Sequence, residues 1–186
     1  MVAQWEDPMA EARRSGTQWF ERPLCRHYAL AIFDATIVRL RDADGLHDLQ
    51  VRWAFGWLAN GECEALDVWL VDSEAGSGDP RQLIAGLQAR GVERIWNLVD
   101  THTGTSTNAG KDQERASRIP KFEAAQVREG LTRAVRRHGS FASEAAVLDF
   151  MTGALRRAER RLDRERLFAK GKPRLESGVQ MATFGV

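Results

Sequence analysis

One acidic residue of this chain lies where an ionised side chain is costly. Asp34 is in the middle of residues 28–41, the most strand-like stretch of the sequence, and apolar residues occupy both faces of that stretch. This pattern is typical of a central strand covered on both sides, where an unpaired carboxylate costs several kcal/mol. We therefore expect Asp34 either to be satisfied by hydrogen bonds, from the backbone or from an arginine, or to be a metal ligand.

The residues after this strand predict a three-stranded meander. Asp42-Ala43-Asp44-Gly45 has the composition of a turn, and residues 49–58 and 62–71 then alternate as strands do. Between those two strands, Asn60-Gly61 is the signal of a type I′ hairpin turn. Strands joined in this way run antiparallel.

A second aspartate, Asp100, ends the fourth predicted strand. Residues 80–91 have the initial proline, the spaced apolar residues and the final glycine of a helix, and residues 93–99 after them are strand-like. A strand that follows a helix after a meander is most simply a parallel strand reached by a right-handed crossover. Taken alone, Asp100 would more often be a strand-end residue that faces solvent.

This order of elements matches a ribonuclease-H-like α/β fold. Such a fold has a mixed sheet of three antiparallel strands followed by a parallel strand, with flanking helices. Its first and fourth strands are neighbours, so that Asp34 and Asp100 would come close together. Carboxylate oxygens are the ligands that Mg²⁺ and Mn²⁺ prefer, and two such ions about 4 Å apart can activate a water molecule and stabilise the leaving oxygen of a phosphodiester.

The chain divides into three predicted segments. Residues 1–22 form a helical lead-in, residues 23–155 form the ribonuclease-H-like domain, and residues 156–186 form a basic helical extension and tail. Within the domain, residues 101–117 are predicted to be a polar loop, and two further helices follow it.

The composition is that of a protein with one folded core. The chain has 186 residues, of which 43% are hydrophobic and 28% charged. No apolar run approaches the roughly 18 residues that cross a bilayer, and the first residues are polar, so that we expect a cytoplasmic protein without a membrane partner. Cys25 and Cys63 form no metal or redox motif and are expected to be reduced thiols.

The net charge of +1 conceals a basic segment. Residues 156–174 contain nine lysines or arginines against three acidic residues. A segment of this kind can neutralise phosphates, or it can be a solvated helix face with internal ion pairs.

Three stretches of the sequence resemble a known family. The first stretch is QWFERPL at 18–24 with IFDATIVRLR at 32–41; the second is AFG at 54–56, VWL at 68–70, EAG at 74–76, LQARGV at 87–92 and VD at 99–100; the third is VREGL at 127–131 with RHGSFASEAA at 137–146. Their order and content are similar to the catalytic domain of Mutator-type DDE transposases.

The resemblance implies a site and a partner. The catalytic and metal-binding residues would be Asp34, Asp100 and Glu129, which would hold Mg²⁺ or Mn²⁺ for the cleavage and strand transfer of DNA. Basic residues near them are candidates to contact nucleic acid: Lys111, Arg115, Arg118, Arg133 and Arg137. Glu129 alone would by default be an exposed partner of Arg133 on a helix, and the loop cations could equally serve solubility alone. A homodimer through aromatic strand surface is a further expectation.

The chain also departs from the family pattern. Only 28 residues separate Asp100 from Glu129, so the helical insertion usual at this place is missing. We also expect the family's N-terminal DNA-binding region to be essentially missing. By the same comparison, Thr101 replaces a glycine and Gly130 replaces a serine. Two functions therefore stay open: a metal-dependent transposase or nuclease, or an inactive, domesticated fragment that binds nucleic acid or serves in assembly.

Overall fold

The computed structural model describes residues 21–43, 45–71, 80–108 and 121–171. In chain order the elements are β1 (His27–Tyr28), β2 (Leu30–Asp42), β3 (Gly45–Trp57), β4 (Cys63–Val71), α1 (Pro80–Ala89), β5 (Arg94–Ile95), β6 (Asn97–Asp100), β7 (Thr105–Asn108), α2 (Lys121–His138), β8 (Ser140–Phe141) and α3 (Glu144–Gly171).

The main sheet is mixed, as the sequence predicts. Its strand order is β4-β3-β2-β6-β7, and the short β8 pairs with the far end of β2. The pairs β2–β3 and β3–β4 are antiparallel, whereas β6 lies parallel to β2. The prediction of an α/β fold with three antiparallel strands and then a parallel strand is confirmed, and the ribonuclease-H-like identity of the sheet stays a prediction.

The sheet has helices on both of its faces. The larger core lies between one face and the helices α2 and α3, and it includes Trp53, Phe55, Leu131 and Met151. The smaller core lies on the other face, where Phe33 packs in one cluster with residues of α1. Because successive side chains of a strand point to opposite faces, each strand contributes alternately to the two cores.

The expectation that the first strand is covered on both sides holds only for its first half. Its first half is buried on both faces, from Ala31 to Asp34, but Ile37 is 55% exposed. Among the described elements, the face that carries Ile37 is covered by the ten-residue α1, which packs against Ala31 and Phe33 and not against the distal half of the hairpin.

The turn between the second and third strands also differs from the prediction. A type I′ turn needs a positive φ at both central residues, and among the described residues only glycines have one. Gly61 has a φ of 85°, and the N–H of Leu58 donates to the carbonyl of Glu62. The side chain of Asn60 accepts a hydrogen bond from the N–H of Glu62 instead, at 2.9 Å. The loop is therefore longer than a two-residue turn.

Several predicted elements change their length or neighbours in the structure. The first strand is interrupted after Tyr28 and the fourth after Ile95, and the two short pieces, β1 and β5, form a separate parallel pair. Part of the predicted polar loop forms β7, which pairs antiparallel with β6. α3 continues without interruption through residues 155 and 156, where we predict a segment boundary.

Two other expectations concern the termini and the cysteines. Almost all of the predicted lead-in, residues 1–20, lies outside the described residues. Both cysteines are free, with Cys25 exposed and Cys63 buried. No helix within the described ranges combines the length and the apolar character that crossing a membrane requires.

Candidate functional site

The register of β2 and β6 decides how the two predicted aspartates face each other. Asp100 is aligned with Phe33, one residue before Asp34. Aligned residues of neighbouring strands share a face, and a shift of one residue changes the face. Asp34 therefore lies on the face of α2 and α3, beside Trp53, and Asp100 lies on the face of α1. Their backbones are adjacent, but their carboxylates point to opposite sides of the sheet.

Asp34 is satisfied by an arginine and by the backbone. Its Oδ2 accepts a hydrogen bond from Nε of Arg128 at 2.5 Å, and its Oδ1 accepts one from the N–H of Ala35 at 2.8 Å. The aspartate is 6% exposed, whereas about half of the Arg128 side chain is exposed. Of the two alternatives that the sequence leaves open for Asp34, this structure shows hydrogen bonds and an ion pair.

Asp100 forms a more deeply buried ion pair. Its Oδ2 accepts a hydrogen bond from Nη2 of Arg52 at 2.7 Å, and both side chains are almost fully buried. Its Oδ1 accepts the N–H groups of His102 and Thr103 at 3.0 and 3.2 Å. Burial by itself would raise the pKa of Asp100, but the hydrogen bonds from Arg52 and from the two backbone amides outweigh it, so that the pKa is lowered.

Glu129 does not join either aspartate. It is exposed on α2, directly after the residue that contacts Asp34. Consecutive residues of an α-helix point about 100° apart, so the helix that turns Arg128 toward the sheet turns Glu129 away. No group of three His, Cys, Asp or Glu side chains that could hold a metal ion occurs among the residues that the structure describes.

The carboxylates as placed do not fit a Mg²⁺ or Mn²⁺ site. Each aspartate already has a guanidinium where a divalent ion would supply positive charge, and both oxygens of Asp100 are engaged. The metal-binding and catalytic roles of Asp34, Asp100 and Glu129 stay predictions, and the structure does not bring their oxygens together.

The sequence also matches a family model, that of the Mutator family of transposases, over residues 9–117. This match covers more than half of the chain. The chain belongs to the Mutator family of transposases. The matched range contains Asp34 and Asp100 and ends before α2, the helix that carries Glu129. No curated protein matches this chain.

Membership of the Mutator family establishes the general class of the protein. It is derived from a transposase, a class of protein that acts in DNA transposition and recombination and binds DNA. Of the resemblances noted in the sequence, the first two stretches lie within the matched range, although QWFERPL begins outside the described residues. The third stretch, at residues 127–146, lies beyond the match.

The predicted nucleic-acid contacts of this Mutator-family chain fall into two groups. Arg133 and Arg137 line a cleft between α2 and α3. The others, Lys111, Arg115 and Arg118, lie outside the described residues.

Four arginines with clear structural positions are missing from the residues that the sequence predicts for the site. Arg52 and Arg128 hold the two aspartates, and Arg157 and Arg161 line the cleft opposite Arg133 and Arg137. A signal for Arg52 exists, since it follows Val51 and precedes Ala54 and Phe55 in an apolar strand, where a buried arginine requires an acidic partner. The identity of that partner, 48 residues away, is not visible in any local pattern.

Proposed function

We propose that this protein is a transposase-derived domain that binds DNA and does not cleave it while arginines hold its two strand aspartates. The observation that carries the proposal is the pair of ion pairs, Arg52–Asp100 at 2.7 Å and Arg128–Asp34 at 2.5 Å. Asp34 and Asp100 are the residues that the family resemblance makes catalytic. Their charges are compensated within the chain.

The cost of separating these pairs supports the proposal. Removal of one partner from a buried ion pair typically costs about 3–5 kcal/mol, because the other charge is left without compensation. Asp100 meets this condition, since it and Arg52 are 1% and 2% exposed. A metal ion at Asp100 would therefore have to displace Arg52 and leave a buried guanidinium without its acid.

DNA is the partner that the family indicates, because transposases bind DNA. The described part of the chain has a suitable charge for this purpose in α2 and α3, where basic residues outnumber acidic ones. Phosphate neutralisation by arginine supplies most of the affinity in binding that does not depend on sequence. We expect the binding of duplex DNA to weaken steeply with salt.

We also infer a ribonuclease-H-like origin for the sheet. The support is its strand order, in which the first strand of the meander lies between the second strand and the parallel strand that follows α1. This is the order that the sequence predicts. A structure from crystals grown with MnCl₂ tests two things: whether the sheet has this strand order, and whether the oxygens of Asp34 and Asp100 meet at a metal ion.

Metal-dependent cleavage and strand transfer of DNA form the second candidate function. The observation that favours it is the adjacency of Asp34 and Asp100 on neighbouring parallel strands, with Asp100 aligned to Phe33. Both aspartates lie within the range that matches the family model. This function requires both ion pairs to open, and Glu129 to leave its exposed position.

One experiment separates the two functions. Labelled duplex DNA is incubated with the protein in Mg²⁺, Mn²⁺ or EDTA, and binding and cleavage are measured on the same samples. We expect a shifted complex and intact DNA in all three conditions. Cleavage that requires the metal and disappears in the Asp34→Asn variant would establish the second candidate, and an absence of any complex at low salt would remove DNA binding.

A further inference from the structure

We propose that the cleft between α2 and α3 is the site that binds the phosphodiester backbone of DNA. This inference rests on the proposed DNA-binding function and adds its location. The cleft has a volume of about 220 Å³ and is lined by Arg133 and Arg137 from α2 and by Arg157 and Arg161 from α3. Among the described residues, no acidic side chain lines it.

The spacing of the four arginines follows from helix geometry. Arg133 and Arg137 are four residues apart, as are Arg157 and Arg161, so each pair lies on one face of its helix, one turn apart. The two helices pack through the apolar floor of the cleft, which includes Leu131 and Ala154. Two arginine side chains are thereby placed on each of the two sides of one groove.

The arginines are accessible to a ligand. All four are exposed on the surface of the protein. Arg161 lies 3.3 Å from the exposed carboxylate of Glu165 and donates to Gln126 at 3.2 Å. An exposed ion pair of this kind contributes little energy, so that a phosphate can replace Glu165 as its partner.

The chemistry of the groove favours a polyanion with repeated phosphates. A guanidinium presents a planar fork of donors that matches phosphate oxygens. Two parallel pairs of arginines offer this fork repeatedly along the groove and not at one point, which suits a backbone better than a single anion. The family membership selects DNA among the polymers with such a backbone.

The test removes charge inside the groove and, separately, the same amount of charge outside it. The groove variant is Arg133→Gln with Arg157→Gln. The control variant is Arg136→Gln with Arg160→Gln, which removes one exposed arginine from each of the same helices outside the lining of the groove. Circular-dichroism melting establishes that both variants are folded, and fluorescence anisotropy of a labelled duplex gives Kd over a range of salt.

The expected result is specific to the groove. Each phosphate contact adds about 0.9 to the slope of log K against log salt, which is a factor of about 8 in affinity at 0.1 M relative to 1 M. The groove variant should therefore lose about 60-fold in affinity at 0.1 M salt, with a slope smaller by about 2. The control should stay within about threefold of the wild type, since non-contacting charges act only through the screened field.

Other outcomes overturn the inference in distinguishable ways. If the wild type binds DNA and the two variants weaken it equally, the groove is not the site, and the proposed function still stands. If the wild type does not bind DNA at all, both the proposed function and the inference about the groove are wrong. If a polyglutamate peptide competes with DNA for the wild type as well as unlabelled DNA does, the groove is a site for acidic protein segments and not for a phosphate backbone.

Discussion

At the scale of single residues, two buried carboxylates determine what this protein can do. Asp34 and Asp100 occupy strand positions where an unpaired charge is costly, and each forms an ion pair with an arginine that is distant in the chain. An arginine supplies one positive charge and directional hydrogen-bond donors. A divalent ion would supply two positive charges and would be coordinated by several oxygens at once. The same aspartates thus serve the stability of the sheet in the arrangement described.

The Arg52–Asp100 pair can be tested by removing its cation. We expect Arg52→Met to destabilise the protein by about 3–5 kcal/mol, because Asp100 is left buried without a partner. The free energy of unfolding in urea measures the effect. The matched control is Arg39→Met, whose ion pair with Asp48 is exposed and 3.8 Å long, and which should change stability by less than about 1 kcal/mol. Equal effects of the two substitutions would contradict the structural role of the buried pair.

The lowered pKa of Asp100 predicts a dependence of stability on pH. A carboxyl group whose folded pKa is depressed contributes stability above its unfolded pKa of about 3.9, and that contribution is lost as the pH falls through the folded pKa. The difference in unfolding free energy between wild type and Asp100→Asn should therefore be largest near neutral pH and decrease below about pH 4. Urea titrations at several pH values measure it. A difference that increases in acid would mean that burial, and not Arg52, controls this carboxyl group.

At the scale of elements, residues on three faces of α2 have three different surroundings. Arg128 points to the sheet and contacts Asp34, Glu129 is exposed, and Arg133 and Arg137 line the cleft with α3. Glu123, in the first turn of the same helix, accepts a hydrogen bond from the indole N–H of Trp57 at 2.8 Å. A helix that packs in this orientation cannot present Glu129 and Arg128 to the same point on the sheet.

The start of α3 offers a test of what stabilises this helix, which forms one side of the cleft. Ser143 precedes the helix, and its Oγ accepts a hydrogen bond from the N–H of Ala146 at 3.2 Å, as an N-cap does. Ser143→Ala should destabilise the protein by about 1 kcal/mol, measured by urea unfolding. Ser140→Ala, at an exposed position of β8, is the control and should change stability by less than about 0.5 kcal/mol. If the two variants are equally stable, the cap contributes nothing to α3.

At the scale of the whole molecule, the absence of a formed metal site among the described residues predicts how the protein responds to metal ions. A ligand that binds only the folded state at 100 times its Kd stabilises that state by about 2.7 kcal/mol. Because Asp100 and Asp34 are already in ion pairs with Arg52 and Arg128, millimolar Mg²⁺ or Mn²⁺ should leave the Tm within experimental error of its value in EDTA. Differential scanning fluorimetry measures it.

The control for this prediction is the Asp34→Asn variant under the same conditions. A rise of Tm with Mn²⁺ in the wild type that is absent from Asp34→Asn would show that the aspartate binds the ion. The ion pairs would then be one state of a site that opens, and metal-dependent cleavage would become the better supported function.

Local sequence patterns account for most of the elements. The alternation of β3 and β4, the proline and glycine that bound α1, and the serine before α3 each act through neighbours in the chain, so each is readable without the fold. The order of these elements is enough to predict that β6 lies parallel to β2. Local patterns do not predict β7, because its polar residues form a strand only by pairing with β6.

The types and order of the elements, the mixed sheet and the family can all be read from the amino-acid sequence, because they depend on periodicity and on motifs carried within short stretches. The relation of Asp34 to Asp100 becomes visible only in the folded chain. That relation depends on the register of β2 against β6, where one residue changes the face of a side chain, and on arginines 94 and 48 residues away from their partners. Long-range register and pairing leave no trace in local spacing, so the carboxylates that the sequence brings to one edge face opposite sides of the sheet.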